Sequence, residues 1–122
     1  MPPNQQWQDL QPALFPDPYV FVSAPGVPPG ATPFAVIGED EGTTLVLTRD
    51  QADQFGLAYG YLAARITLTI GSDLAAVGLT AEVSRVLAAA GISCNVIAGL
   101  HHDHLFVDAA RGSEALSLLE RL

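Results

Sequence analysis

Ala35-Val36-Ile37 with Leu45-Val46-Leu47, and then Asn95-Val96-Ile97 with Leu105-Phe106-Val107, decide how this chain folds. The second pair of triplets lies sixty positions after the first and aligns on it without a gap. Each copy reads as an apolar strand, a polar tip and an apolar strand, which is the pattern of a β-hairpin. Each is followed by a segment able to form a helix, Thr48 to Phe55 in the first copy and Ser113 to Leu122 in the second. A repeated ββα unit in so short a chain predicts two small, similar α+β halves, divided as 1–62 and 63–122. Such a design favours a ligand at the seam between the halves and says little for a catalytic apparatus.

Working outward, Tyr19 to Ser23 reads as the strand that opens the first half, and Pro25 to Pro33 is too rich in Gly and Pro for regular structure. Residues 1–17, with four prolines, read as an extended arm, and Trp7 within it is expected to pack back on the body or touch a partner. Thr48 and Gln51 have the spacing of a capping box, and Gly56 stands where a helix needs its left-handed C′ residue. In the second half, Arg65 to Ile70 alternates, with Ile66, Leu68 and Ile70 on one face and threonines on the other, so a half-buried strand is expected. Leu79, Val83, Val86, Leu87 and Ala90 recur at helical spacing, with Thr80 expected as N-cap and Gly91 as C′. The second half thus reads β-α-β-β-α, one strand short of the ferredoxin-like βαββαβ unit. The first reads the same with its first helix replaced by the Pro25 to Pro33 loop. The strand after its helix, Arg65 to Ile70, is placed to complete the first sheet while opening the second.

Composition excludes several function classes. The chain has 122 residues, 49% of them apolar and 15% charged, enough to fill a core. Net charge is −8, lysine is absent, and the five arginines (49, 65, 85, 111, 121) are scattered. Phosphate contacts need clustered cations, so neither nucleic acid nor an anionic membrane is expected as a partner. The longest apolar stretch, Leu74 to Ile92, is interrupted by Thr80, Glu82, Ser84 and Arg85, short of the ~18 to 20 apolar residues of a membrane span. Met1 to Leu10 lacks the basic and apolar regions of a signal peptide, so a cytoplasmic location is expected. The single Cys94 lies in an apolar strand pattern and reads as a buried, inert thiol.

Three segments carry a family resemblance: Ile66-Thr67-Leu68-Thr69-Ile70, and the two more specific ones, Leu87-Ala88-Ala89-Ala90-Gly91-Ile92-Ser93-Cys94-Asn95-Val96 and His102-Asp103-His104-Leu105-Phe106-Val107. Together with Val77-Gly78-Leu79-Thr80-Ala81 they resemble an ACT domain. More closely, the chain from about residue 13 onward resembles small stand-alone proteins with two ACT-like units, related to the regulatory region of aspartate kinases. The resemblance implies two ferredoxin-like units with antiparallel sheets and helices on one face. It implies a small-molecule effector, usually an amino acid, bound at an interface between units, and a homodimer. Its site maps onto Ser72, Asp73, Val77, Gly78, Leu79 and Thr80 with Asn95, Val96 and Ile97. No catalytic residue, metal or cofactor is implied.

The residues themselves add chemistry. A helix opening at Thr80 offers free N–H groups and a positive dipole end to a carboxylate. The ammonium of an amino acid needs an acceptor, for which Asp73 and Asp103 are nearest by the expected topology, with Asn95 as a neutral partner. All three histidines fall in His101-His102-Asp103-His104, where imidazoles at i and i+2 with an aspartate could ligate zinc. A polar hairpin tip with exposed or stacked rings is the expected reading. Glu39, Asp40 and Glu41 between glycines read as a solvated turn rather than acid–base carboxylates. Two rivals remain to the binding protein: a metal-binding or catalytic ferredoxin-like protein using the histidine cluster, and a pure interaction module.

Overall fold

The computed structural model describes residues 10–69 and 74–122; Trp7, Ile70, Ser72 and Asp73 lie outside them. The chain forms two compact units, Asp17–Ala63 and a second that joins the segment ending at Pro16 to Ala64–Leu122. Elements in chain order are β1 (Pro12–Leu14), β2 (Tyr19–Ala24), β3 (Ala35–Glu39), β4 (Gly42–Thr48), α1 (Arg49–Gln54), β5 (Ala63–Leu68), α2 (Leu79–Ala89), β6 (Cys94–Ala98), β7 (Asp103–Asp108) and α3 (Gly112–Glu120). A 3-10 turn, Ala109–Arg111, leads into α3. No described helix is long and apolar enough to cross a membrane.

The sixty-residue repeat is kept down to the register of its hydrogen-bonded pairs. Ala35 faces Val46 and Val36 faces Leu45 in the first hairpin, while Asn95 faces Phe106 and Val96 faces Leu105 in the second. Because side chains alternate with period two, this common register sends corresponding residues to corresponding faces. The caps repeat as well. The Thr48 hydroxyl accepts from the Gln51 N–H, and the Asp108 carboxylate accepts from the Ala110 N–H.

In the first unit the strands run β3-β4-β2, and Ala63, the first residue of β5, pairs with Tyr19. The strand after α1 therefore does reach this sheet, through one residue. Leu45 and Leu47 on β4, Val20, Val22 and Ala24 on β2, and Ala52 on α1 form the core. Gly56, at φ +66°, ends α1 in a Schellman motif, its N–H donating to the Asp53 carbonyl and that of Leu57 to Ala52. The capping box is only half made. Thr48 caps the helix, but the Gln51 amide turns outward, accepting from the Thr32 N–H at 2.8 Å and donating to the Thr32 carbonyl at 3.2 Å. Gln51 thereby ties down the Pro/Gly loop that stands where a first helix would be, a partner that outcompetes the Thr48 N–H.

In the second unit the order is β1-β5-β7-β6, with α2 and α3 supplying the helices. This is the ferredoxin-like order, and β1 is the strand the sequence reading lacks. It pairs antiparallel with β5, Pro12 opposite Leu68 and Leu14 opposite Ile66. The Gln11 carbonyl accepts from both the Thr69 N–H (3.3 Å) and hydroxyl (2.6 Å). Gln11 adopts φ +48°, which turns Leu10 into the core. That core comprises Ile66, Leu68, Leu79, Val83, Leu87, Leu105, Val107, Ala115 and Leu119 among others, with Val86 half-buried. At its C-terminus α2 closes in a second Schellman motif at Gly91, and the Arg111 guanidinium donates to the carbonyls of Ala90 (2.9 Å) and Gly91 (3.0 Å).

One expectation about β5 is overturned. On its threonine face Thr67 is buried, while Thr69, just past the strand, is exposed. The burial is affordable because the Thr67 oxygen is fully occupied: Arg65 Nε donates to it at 3.1 Å, and His104 Nδ1 lies 2.9 Å away.

Candidate functional site

A cavity of about 140 Å³ opens in the second unit, between the start of α2 and the tip of the β6–β7 hairpin. Its walls are Leu74 and Ala76 from the loop before α2, Gly78, Leu79 and Thr80 from the helix start, and Ala98 and Asp103 from the hairpin. Ala98 and Asp103 are a directly opposed cross-strand pair, so their side chains project from the same face. The tip is held by the Gly99 N–H donating to the His102 carbonyl at 2.9 Å.

The helix start differs from its expectation. Thr80 is not the N-cap; it is the second helical residue and is exposed. The cap is Gly78, at φ +105°, and no side chain hydrogen-bonds there. Leu79, buried in the core, is already the first helical residue, so the cap stands one residue before it. The first intrahelical bond runs from the Glu82 N–H to the Gly78 carbonyl, 2.9 Å. The N–H groups of Leu79, Thr80 and Ala81 precede it and have no carbonyl within the helix to reach. Leu79 and Thr80 line the cavity, so the positive end of the helix dipole lies at its wall, an arrangement suited to a carboxylate. Asp103 is the one ionisable side chain in the described wall. The site thus offers donors on one side and an acceptor on the other.

Of the residues singled out from sequence, Gly78, Leu79, Thr80 and Asp103 come together here. Val77 is 87% exposed and outside the wall, while Asn95, Val96 and Ile97 lie along β6 without reaching it. Ser72 and Asp73 fall outside the described residues. Leu74, Ala76 and Ala98 were not foreseen, since small apolar residues carry no chemical signature. Only the hairpin register, which sets Ala98 opposite Asp103, could have found one of them.

The three histidines cluster at and beside the hairpin tip. His101 and His102, and His102 and His104, have ring centroids 6.4 Å apart, the second pair edge to face. Among the described residues no group of three or more His, Cys, Asp or Glu side chains is placed to hold a metal ion. Arg65, stacked 3.9 Å over the Phe15 ring, donates to the Thr67 oxygen, and the Thr67 hydroxyl is hydrogen-bonded with His104 Nδ1. Burial, then the charges of Arg65 and His102, hold the His104 pKa below the usual value of 6.5, against an opposing pull from Asp103. Burial also raises the Cys94 thiol above its ordinary pKa, so it is no activated nucleophile.

Two models of the ACT domain match the sequence, one over residues 7–64 and the other over residues 64–121. No curated protein gives a significant match. Among solved structures, a Vibrio cholerae protein described as of unknown function and as a possible transport protein is 44% identical. That similarity covers 93% of this chain and 88% of the other, with a TM-score of 0.85. A protein from Agrobacterium tumefaciens is 17% identical over 90% of this chain and 86% of its own, at a TM-score of 0.71. The regulatory subunit of aspartate kinase from Thermus thermophilus, in a ligand-free form, is 13% identical over 90% of this chain and 95% of its own, at 0.62. These last two are likenesses of fold.

Proposed function

The chain belongs to the ACT-domain family, with two such domains in tandem, and from that premise we propose that it is a regulatory protein whose second unit binds an α-amino acid in the cavity at the start of α2. ACT domains are typically regulatory and bind small-molecule ligands. The observation that carries the reading is the opposition, across one cavity, of an uncapped helix N-terminus and the Asp103 carboxylate. An α-amino acid presents an anion and a cation a short distance apart. Its carboxylate meets the N–H groups of Leu79 and Thr80, and its ammonium meets Asp103. The reading requires no catalytic residue, metal or cofactor, and neither the tip histidines nor the acidic turn at Glu39 to Glu41 takes part.

Calorimetric titration after a thermal-shift screen of the twenty amino acids tests it. Hydrogen bonds to charged groups contribute about 1.5–3 kcal/mol, so Asp103→Asn should weaken binding about tenfold to a hundredfold. Unchanged affinity in a folded Asp103→Asn variant would refute the assignment. The chain is further proposed to be a homodimer. Strand β3 ends the strand order of its unit and exposes Val36 (52%) and Ile37 (41%), an edge that favours pairing. A sharp monomer mass in sedimentation at ~50 μM, some tens of times above a typical micromolar dissociation constant, would remove that part.

A further inference from the structure

We propose that the tip of the β6–β7 hairpin is a proton-operated latch: the neutral His104 ring ties the tip to Thr67 on β5, and protonation of that ring releases it. Asp103, next to His104 in the chain, loosens with the tip. The inference goes beyond the amino-acid reading and is independent of what the cavity binds. The ring is held on three sides. His104 Nδ1 is hydrogen-bonded with the Thr67 hydroxyl at 2.9 Å, and Thr67 is only 4% exposed. His104 Nε2 packs against Gly99, where a Cβ would stand 3.3 Å from it. The His102 ring meets it edge to face, with centroids 6.4 Å apart. Gly99 in turn closes the tip through its N–H bond to the His102 carbonyl. One imidazole thus joins a buried hydroxyl on β5 to the turn of the hairpin.

A proton on that ring sets the arrangement against itself. In an imidazolium both nitrogens carry N–H groups and neither accepts. Its Nδ1–H would point at the Thr67 oxygen, which already takes the Arg65 Nε–H at 3.1 Å. Two cations would then converge on one buried oxygen, where water screens them poorly. Among the described residues, the charged and titratable groups that bear on the ring are Arg65 from β5, and His102 and Asp103 from its own hairpin. Strand β6 sets the uncharged Ile97 opposite His104. Asp103 is the single anion of the set. As the preceding strand residue it projects from the other face, where it lines the cavity. It therefore cannot pair with the imidazolium while β7 keeps its register. Opening also removes a cost of the closed tip, because His102 Nδ1 is buried there with no hydrogen-bond partner. The sign agrees with the lowered pKa of His104, caused by burial first and then by Arg65 and His102. The latch is closed above that pKa and open below it.

The test is NMR on the full chain from about pH 8 to about pH 5, the range in which histidines titrate. It follows the three imidazoles, the Gly99 and Asp103 amides, and amide exchange. The Gly99 and Asp103 amide shifts should track the His104 ring rather than that of His101 or His102. Protection of the Gly99 N–H, taken relative to its intrinsic exchange rate, should fall about tenfold or more as His104 becomes charged. The β3–β4 tip, which has no histidine, should keep its protection over the same range. In His104→Asn the pH dependence at Gly99 should disappear, whether that tip is tight or loose, and in His102→Asn it should persist. Constant Gly99 protection across the His104 titration would overturn the latch without any variant. A pH response that survives in His104→Asn, or is lost in His102→Asn, would overturn the assignment to His104.

Discussion

Gly112 opens α3 at a point where the helix nearly touches the sheet beneath it. A Cβ built there would lie 2.9 Å from the Ala64 Cβ and 3.4 Å from Leu14 Cδ1. Its φ of −59° is ordinary helix, so alanine meets no backbone strain. Helix propensity alone would favour Gly112→Ala by up to ~1 kcal/mol, and by less in the first turn. Packing opposes it. The contact with Ala64 is methyl against methyl on a strand, neither of which can swing aside, and Leu14 belongs to the short strand β1. Overpacking of this kind costs about 1–3 kcal/mol, so the net effect should be a loss of about 1–2 kcal/mol. Urea denaturation should show a lower midpoint at unchanged m-value. The clash is testable as a pair. Ala64→Gly alone should also destabilise, by roughly 0.5–1 kcal/mol, yet combined with Gly112→Ala it should restore part of the loss, a coupling above about 0.5 kcal/mol. A Gly112→Ala variant as stable as the parent, or a strictly additive double variant, would mean that α3 does not sit this close to β5.

Leu87 is fully buried on α2, and Leu87→Ala should cost about 2–5 kcal/mol in chemical denaturation; a loss below about 1 kcal/mol would mean the helix face is misassigned. Arg111→Ala should lower stability by about 1–2 kcal/mol through loss of its bonds to the Ala90 and Gly91 carbonyls, and Arg111→Lys should not restore it, because one ammonium cannot span both oxygens as the guanidinium fork does. His104 has a folded-state pKa below its unfolded value of 6.5, so the unfolded chain binds more protons and stability should fall as pH drops below about 6.5; melting temperatures from pH 7.5 to 5 should decline less steeply in His104→Asn, and an identical decline would clear His104 of the effect.

The hairpins were legible because two independent constraints agreed, a period-two apolar pattern and a fixed sixty-residue offset, and the register reproduces both. The C′ glycines at 56 and 91 were legible for a similar reason, since a positive φ leaves few alternatives. Strand β1 was not. Pro12-Ala13-Leu14 has no alternation to read, and proline argues against a strand unless it lies at the end of a sheet. Within its unit β1 does lie at that end, and what makes it a strand is a partner more than fifty residues away. The burial of Thr67 escaped for a related reason: its polarity is cancelled by Arg65 and His104, contacts that only the folded sheet assembles.

At the candidate site the failure is more instructive than the success. The rule that helices begin on Ser, Thr, Asp or Asn pointed to Thr80, and a Thr80 cap would have spent its hydroxyl on the helix's own N–H groups. The helix instead begins at the buried Leu79 with Gly78 as its cap, which has no side chain to spend. Local preference and the core therefore disagree at this helix start, and the core prevails. The loss is only about a few tenths of a kcal/mol, the difference between a threonine and a glycine cap, and the gain is a set of N–H groups left for something else to satisfy. Conflicts of this kind between local rules and the global fold concentrate at functional positions. The first unit has no counterpart, because Gly26 to Pro33 is a loop pinned by Gln51 and no helix begins there. Binding should accordingly be limited to one effector per chain. A calorimetric stoichiometry near two would place a second site in the first unit and break the link drawn here between the uncapped helix and the ligand.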